Sequence, residues 1–308
     1  MKSLASRSVP ALQVSPPIDP TQTVTVAICT CNRPADLRIC LEAIGRLDPG
    51  PSEVLVVDNS AGDPATKAAA MEFGARYIVE LAPGLSRARN RGLVESNCEF
   101  VAFVDDDAIP DAQWLAHIVK PFADPNIAAV TGETYDAESL PLSSATEKSI
   151  RILSNKDPLW FERANFGGLG YGTNMVLRKS ACTQPQVFDE RLGRGTPLWT
   201  AEESHAFAKL VAHGHSAAHV PRAIVLHPSK EKDIAREAAT AFAYWLLLFF
   251  EFPGHKLDLL RFLFRRLRRK RLPWPRDPQE PGVIMSSGWQ TQFKAVVSGT
   301  LLYIRNRK

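Results

Sequence analysis

The sequence has no continuous apolar run of the roughly 18 residues that a membrane-spanning helix needs, so nothing in it argues for a bilayer span. It is equally poor in paired cysteine. Cys29, Cys31, Cys40, Cys98 and Cys182 are odd in number and none stands in Cys-x-x-Cys spacing, so no disulfide framework is encoded. Most lie among apolar neighbours, where a reduced thiol behaves as a small hydrophobe. The expected compartment is therefore reducing and cytoplasmic. Residues 1–22 lack the sustained apolar stretch of a secretory signal and read as a disordered leader. The net charge over 308 residues is only +4, which by itself implies neither nucleic acid nor membrane, and no nucleic-acid module is present. Residues 166–172, FGGLGYG, are not a dinucleotide fingerprint, because they neither follow a clear strand nor open a helix.

What is present centres on residues 100–110, FVAFVDDDAIP. An apolar strand pattern delivers three consecutive aspartates to a sheet edge. Carboxylates this close raise one another's pKa unless a cation or several donors sit among them. Mg²⁺ or Mn²⁺ suits hard oxygen ligands, and a carboxylate-bound Mg²⁺ usually also meets substrate phosphates. Asp111, just before residues 112–114, reads as a helix cap.

The surrounding pattern predicts strands at residues 24–31, 53–58, 76–81 and 100–105, with helices between them starting at Pro34, Pro64 and Pro83. Strand, helix, strand in that order argues for an open parallel sheet, and the continuous apolar run EVLVVD fits a strand covered on both faces. Ligands of such sheets bind beyond the carboxyl ends of the strands. Thr30, Asp58 and the three aspartates fall there. Further on the pattern predicts a helix over 114–122, strands at 127–132, 174–178 and 223–226, and a helix over 202–212. Residues 135–158 are left as a loop or partly helical. His213, His215 and His219 straddle a helix stop and a turn and read as surface residues.

Several short patterns then recur in one order: Thr30-x-Asn32-Arg33-Pro34, Val56-Val57-Asp58-Asn59-Ser60, Gly84-x-Ser86-x-Ala88-Arg89-Asn90-x-Gly92, Asp105-x-Asp107, Gly172-x-Asn174-Met175, Phe188-Asp189-Glu190 with Gly193-x-Gly195, and Glu202-Glu203. Together they resemble the family 2 glycosyltransferases of the GT-A fold, over roughly residues 22–230. The resemblance implies an α/β protein with a Rossmann-like, mostly parallel sheet flanked by helices. It divides the chain into a nucleotide-binding half, residues 23–110, an acceptor half, residues 111–230, and a helical C-terminal extension, residues 231–308.

The same resemblance assigns roles. Thr30, Asn32, Arg33 and Asp58 would meet the nucleoside, and Arg89 and Asn90 the phosphates, where a helix start favours anions. Asn174 would contact the donor as well. Asp105 and Asp107 would hold Mg²⁺ or Mn²⁺, with His227 completing the site, whereas strand alternation turns Asp106 away. Glu203 stands where relatives commonly have Asp after Glu and would be the base that deprotonates the acceptor hydroxyl. Glu202 is its rival. The implied activity is transfer of one sugar from a nucleotide-diphosphate-sugar to a saccharide, lipid-linked or small-molecule acceptor, with inversion. Single transfer is favoured because the Gln-x-x-Arg-Trp motif and multiple spans of processive synthases are missing. The departure at Glu203 keeps a second reading open: an inactive relative that binds nucleotide-sugar or membrane as a scaffold.

Beyond residue 230 the residues themselves carry the reading. A helix is expected over 232–252, Pro253-Gly254 breaks it, and a second helix over 255–272 puts Leu259, Leu260, Leu263, Phe264 and Leu267 on one side with Arg261, Arg265, Arg268 and Arg269 beyond them. An apolar stripe bordered by arginines fits an anionic membrane surface, met from the cytoplasmic side. Packing on the catalytic core and a homodimer interface remain open alternatives.

Overall fold

The computed structural model describes residues 24–136, 149–166, 169–183, 186–228, 233–267 and 289–306. The expected leader at residues 1–22, and Arg268, Arg269 and Trp274, lie outside these residues.

The first hundred residues fold as their pattern dictates: β1 (Val24–Thr30), α1 (Pro34–Ile44), β2 (Glu53–Asp58), α2 (Pro64–Glu72), β3 (Arg76–Val79), α3 (Leu85–Glu95) and β4 (Phe100–Asp105). Pro34 and Pro64 sit in the first turns of α1 and α2, where a missing N–H costs nothing, and Asp63 caps α2 by accepting from Thr66 N at 2.8 Å. The four strands run parallel in the order β3-β2-β1-β4.

The second part adds β5 (Ile109–Pro110), α4 (Trp114–Ile118), β6 (Ile127–Asp136), β7 (Arg151–Leu153), α5 (Trp160–Phe166), β8 (Asn174–Arg178), α6 (Glu202–Ala212) and β9 (Ser216–His227). The sheet continues as β4-β8-β6-β9-β5, and β7 pairs with β9. β8 is antiparallel to both neighbours, while β6 and β9 are parallel. The expected helix over 114–122 is two pieces, because Pro121 breaks it into α4 and a tighter turn at Lys120–Ala123.

Alternate residues of each strand serve opposite layers. Val24, Val26, Phe100, Ala102 and Val104 pack with Leu37, Leu41 and Trp114 on one face, whereas Ala27, Val101 and Phe103 pack with Phe161, Phe188 and Phe207 on the other. That second layer extends into α7 (Ile234–Glu251) and α8 (Lys256–Leu267), whose Ala243, Tyr244, Leu247, Leu248 and Leu259 are buried in it. α9 (Trp289–Asn306), which the sequence reading did not anticipate, contributes the partly buried Leu302 and Tyr303 to that layer.

The expected stripe on α8 is corrected in one respect. Leu259 is buried, while Leu260, Leu263 and Phe264 are exposed, so the stripe is divided between the core and the surface. Leu257 is exposed as well. Among the described residues no helix is long and apolar enough to cross a membrane.

Candidate active site

The register places Thr30 beside Asp58 and Cys29 beside Asp105, so the carboxyl ends of β1, β2 and β4 form one edge. Asp105 is the last residue of β4, and Asp106 and Asp107 lie in the turn after it. Asp106 is not among the ligand atoms that converge with His227, as strand alternation leads one to expect, yet it does not reach solvent. Its side chain is buried and accepts from Thr30 Oγ1 at 2.7 Å and from Arg33 Nη1 at 2.6 Å. Arg33 also donates through Nη2 to Asp107 Oδ2 at 2.8 Å and through Nε to Asp36 at 2.9 Å. Burial pushes the Asp106 carboxyl up to about 6, against the pull of Thr30 and Arg33.

His227 ends β9 on the other side of the turn. Its Nε2 stands 3.1 Å from Asp107 Oδ1 and 3.7 Å from Asp105 Oδ2. These are electrostatic approaches without hydrogen-bond alignment, since the buried Nε2 has no hydrogen-bond partner. Burial pulls the imidazolium down, but the two carboxylates outweigh it and push His227 up to about 9. Asp105 is held below the usual carboxylate range: burial raises it, and His227 and Arg89 more than reverse that. Asp105, Asp107 and His227 each offer a ligand atom within 4.8 Å of the others. Two carboxylate oxygens and an imidazole nitrogen that lacks a hydrogen-bond partner are a donor set that fits a divalent ion such as Mn²⁺.

Arg89 is not at the start of its helix, and its guanidinium meets two carboxylates of the chain. α3 opens at Leu85 after Gly84, which puts Arg89 on the second turn, buried, with Nη1 2.8 Å from Glu202 Oε1 and Nη2 3.3 Å from Asp105 Oδ1. It joins the aspartate turn to the first residue of α6. A buried guanidinium needs such partners, because one left unpaired costs several kcal/mol. Two glycines make room for the pair. A Cβ on Gly172 would lie 2.6 Å from Arg89 Nη2, and one on Gly193, whose φ is +93°, would lie 3.1 Å from the Glu202 carboxyl carbon.

Other expected contacts are occupied within the protein. Asn90 holds the backbone of Phe188 from both sides, donating to its carbonyl at 2.8 Å and accepting from its N–H at 3.0 Å. Asn174, fully buried, accepts from Trp114 Nε1 at 2.8 Å and donates to the carbonyls of Glu133 and Ala223. The buried Asp58 carboxylate accepts from Ser60 N and Oγ on one oxygen and from Asp63 N and Tyr77 Oη on the other. Those four donors match its four lone-pair positions. Asn32 is exposed in a left-handed turn, φ +56°.

Glu202 and Glu203 open α6 together, where the N-terminal dipole favours acids. Their surroundings differ. Glu202 is buried and bound to Arg89, whereas Glu203 is half-buried and adds to the field on Arg89 without being its hydrogen-bond partner.

The surface reading is corrected for His219, which is buried among Thr131 Oγ1, the Leu169 carbonyl and Glu133, because β9 starts at Ser216 and carries it into the sheet. A second acid and histidine group, Asp189, His205 and Glu251, is bridged by Arg191, so a protein cation already sits among its carboxylates.

Comparison with known proteins follows the same lines. The model of Glycosyl transferase family 2 matches residues 25–183, just over half of the chain. The pre-mycofactocin glycosyltransferase of Mycobacterium tuberculosis is 32% identical over 226 residues, covering 65% of this chain and 44% of that protein. The chain thus spans less than half the length of that relative. Among solved structures, the mannosyltransferase PcManGT from Pyrobaculum calidifontis, in complex with GDP-Man and Mn²⁺, superposes with a TM-score of 0.57 at 17% identity over 93% of this chain and 88% of that one. S. aureus TarS 1-349 gives a TM-score of 0.60 at 16% identity over 92% and 80%. At these identities the likeness is one of fold.

Proposed function

The chain belongs to glycosyl transferase family 2, and from that premise we propose that the protein transfers a single sugar from a nucleotide-diphosphate-sugar to an acceptor hydroxyl, with inversion at the anomeric carbon. The observation that carries this reading is the convergence of Asp105, Asp107 and the orphaned His227 Nε2 at the edge where the parallel strands end. These three residues would hold Mn²⁺ or Mg²⁺, and the GDP-Man and Mn²⁺ bound to the Pyrobaculum neighbour are in keeping with that choice. When bound, the metal supplies Lewis-acid stabilisation of the charge that develops on the leaving diphosphate.

The chain's own residues divide the remaining work. Arg33 fixes Asp106 and Asp107, and Arg89 fixes Asp105 relative to Glu202, so the carboxylates enter the reaction already oriented. Glu203 takes the acceptor proton as the hydroxyl oxygen attacks C1 of the sugar. Thr30 and Arg33 reach the nucleoside only indirectly, through the turn they hold. Asp58 shapes the loop after β2, and it meets a base donor by exchanging the hydroxyl of Ser60 or Tyr77 for it.

A panel of labelled nucleotide-sugars, assayed with Mn²⁺ and after chelation, tests the reading, and metal-dependent transfer or hydrolysis of at least one donor is expected. Tight nucleotide binding with no turnover of any donor would instead identify an inactive relative acting as a scaffold. Anomeric configuration of the product, read by NMR, tests inversion.

The exposed Leu257, Leu260, Leu263 and Phe264 of α8, beside Lys256 and Arg261, support a second element of the proposal, docking on an anionic membrane surface. Co-sedimentation with phosphatidylglycerol vesicles but not with phosphatidylcholine vesicles is expected, and Leu260→Glu with Phe264→Glu should abolish it. Equal binding to both vesicle types, or to neither, would remove the membrane from the account.

A further inference from the structure

The loop that runs from Asp189 to α6 carries a feature that the transfer reading leaves unused. The Trp199 ring is met by two guanidiniums, that of Arg236 at 3.6 Å from its centroid and that of Arg194 at 5.5 Å. Both arginines are exposed and Trp199 is half-buried. Other arginines of this region have carboxylates: Arg87 pairs with Glu190, Arg89 with Asp105 and Glu202, Arg191 with Asp189 and Glu251. Among the described residues no ion pair neutralises Arg194 or Arg236. Two like charges gathered on one ring repel, and a shared anion relieves that repulsion.

The platform is built before any ligand arrives. The Arg194 carbonyl accepts from Leu85 N at 2.9 Å, and Gly193 N donates to the Leu198 carbonyl at 2.9 Å. Thr196, nearly buried, donates through Oγ1 to the carbonyls of Arg191 and Gly193. Arg236 is fixed at the start of α7, where its N–H donates to the Asp233 cap at 3.1 Å and its carbonyl accepts from Thr240 Oγ1 at 2.9 Å. Trp199 precedes the Glu202 and Glu203 pair by three residues, and Arg236 follows His227 by nine. The cluster therefore bridges the two segments that deliver the proposed base and the third metal ligand. Stacking on an indole occupies the face of a guanidinium and leaves its N–H edge for an acceptor in the ring plane, the geometry in which arginine forks a phosphate or carboxylate.

We propose that Arg194 and Arg236, stacked against Trp199, form a subsite for an oxyanion, phosphate or carboxylate, carried by a substrate of this protein. The inference rests on the transferase reading for the word substrate, but not for the binding itself. Two substrates can bring the oxyanion: an acidic acceptor, or the donor through its diphosphate.

Calorimetric titration of the full chain with inorganic phosphate, in Mg²⁺ with and without saturating UDP or GDP, separates the sources. One saturable phosphate site that persists beside the bound nucleotide is expected if the acceptor supplies the oxyanion. Displacement of phosphate by the nucleotide assigns the subsite to the donor diphosphate. In either case the double variant Arg194→Ala with Arg236→Ala should weaken the corresponding ligand at least tenfold or so, while its thermal midpoint stays within about 2 °C, as exposed substitutions generally allow. Absence of saturable phosphate binding in the parent protein, or a double variant within about twofold for both phosphate and nucleotide, overturns the proposal. A protein that binds phosphate this way yet transfers no sugar would leave the subsite standing and sink the transferase reading alone.

Discussion

Asp107→Ala is expected to lower metal-dependent transfer by roughly a thousandfold or more, equivalent to about 4 kcal/mol of transition-state stabilisation, while the metal-free protein stays folded. Asp107 is one of three side chains that converge with ligand atoms within 4.8 Å of one another, and its other oxygen is held by Arg33. Arg33 keeps Asp106 and Asp36 when Asp107 is removed, so its guanidinium is not left stranded. Removing one of three adjacent acids also relieves their mutual repulsion. Metal-free Asp107→Ala and its isosteric companion Asp107→Asn should therefore melt no lower than the parent. The difference should appear on adding Mn²⁺, which raises the melting point of the parent by mass action and leaves both variants unmoved. Retained turnover in Asp107→Asn, or a Mn²⁺-induced shift equal to the parent's, would take the metal out of this site.

The parallel half of the fold was legible because its strands state their environment. EVLVVD and FVAFVD are apolar on both faces, and the structure gives each face its own layer of helices. β9 was legible only at its end. Pro221 demotes the run SAAHVPRAIVLH as a strand, yet β9 is continuous from Ser216 to His227. The register between β6 and β9 slips between Gly132 and Glu133, opposite Val220 and Ile224, so Pro221 falls in the irregularity where no ladder bond is required of it. α9 was missed for a different reason: its partners on α7 lie some fifty residues earlier, and an amphipathic stretch does not say what covers it.

In the site, residue types were legible and partners were not. Asparagine and arginine serve ligands and backbone alike, and only the fold shows that Asn90 holds Phe188 and Asn174 holds Trp114, Glu133 and Ala223. The Arg89 to Glu202 pair joins positions far apart in the chain, which no local pattern encodes. Gly172 and Gly193 were its trace in the sequence, since a side chain at either would enter the space of that pair. Alternation set Asp106 apart from Asp105 and Asp107, and only the fold shows that Thr30 and Arg33 hold it. The cations that the aspartate cluster demanded also turned out to include two from the chain itself, Arg33 and Arg89.

The two glutamates at the start of α6 are expected to part company when each is changed to glutamine. Glu203→Gln should lower kcat by about a hundredfold to ten-thousandfold, the range of a general base, with donor affinity and melting point near those of the parent. Glu202→Gln should act first on stability, because it strips the nearest anion from a buried guanidinium whose other carboxylate hydrogen bond, to Asp105, is long at 3.3 Å; breaking such a pair costs about 3–5 kcal/mol. Its effect on rate then follows from the displacement of Asp105, and shows as weakened metal affinity together with lost turnover. The physical ground for the distinction is position: Glu202 is buried with its carboxylate on Arg89 at 2.8 Å, whereas Glu203, beside it at the helix start, is half-buried. Glu203→Asp sharpens the test. The resemblance to family 2 places an aspartate there, so the shorter acid should retain far more activity than the neutral glutamine if a carboxylate at this position removes the proton. Melting curves, metal titrations and single-turnover rates on the three variants decide it: a stable, metal-binding Glu202→Gln that has lost the chemical step would move the base to Glu202 and leave Glu203 as a charge that favours the helix start.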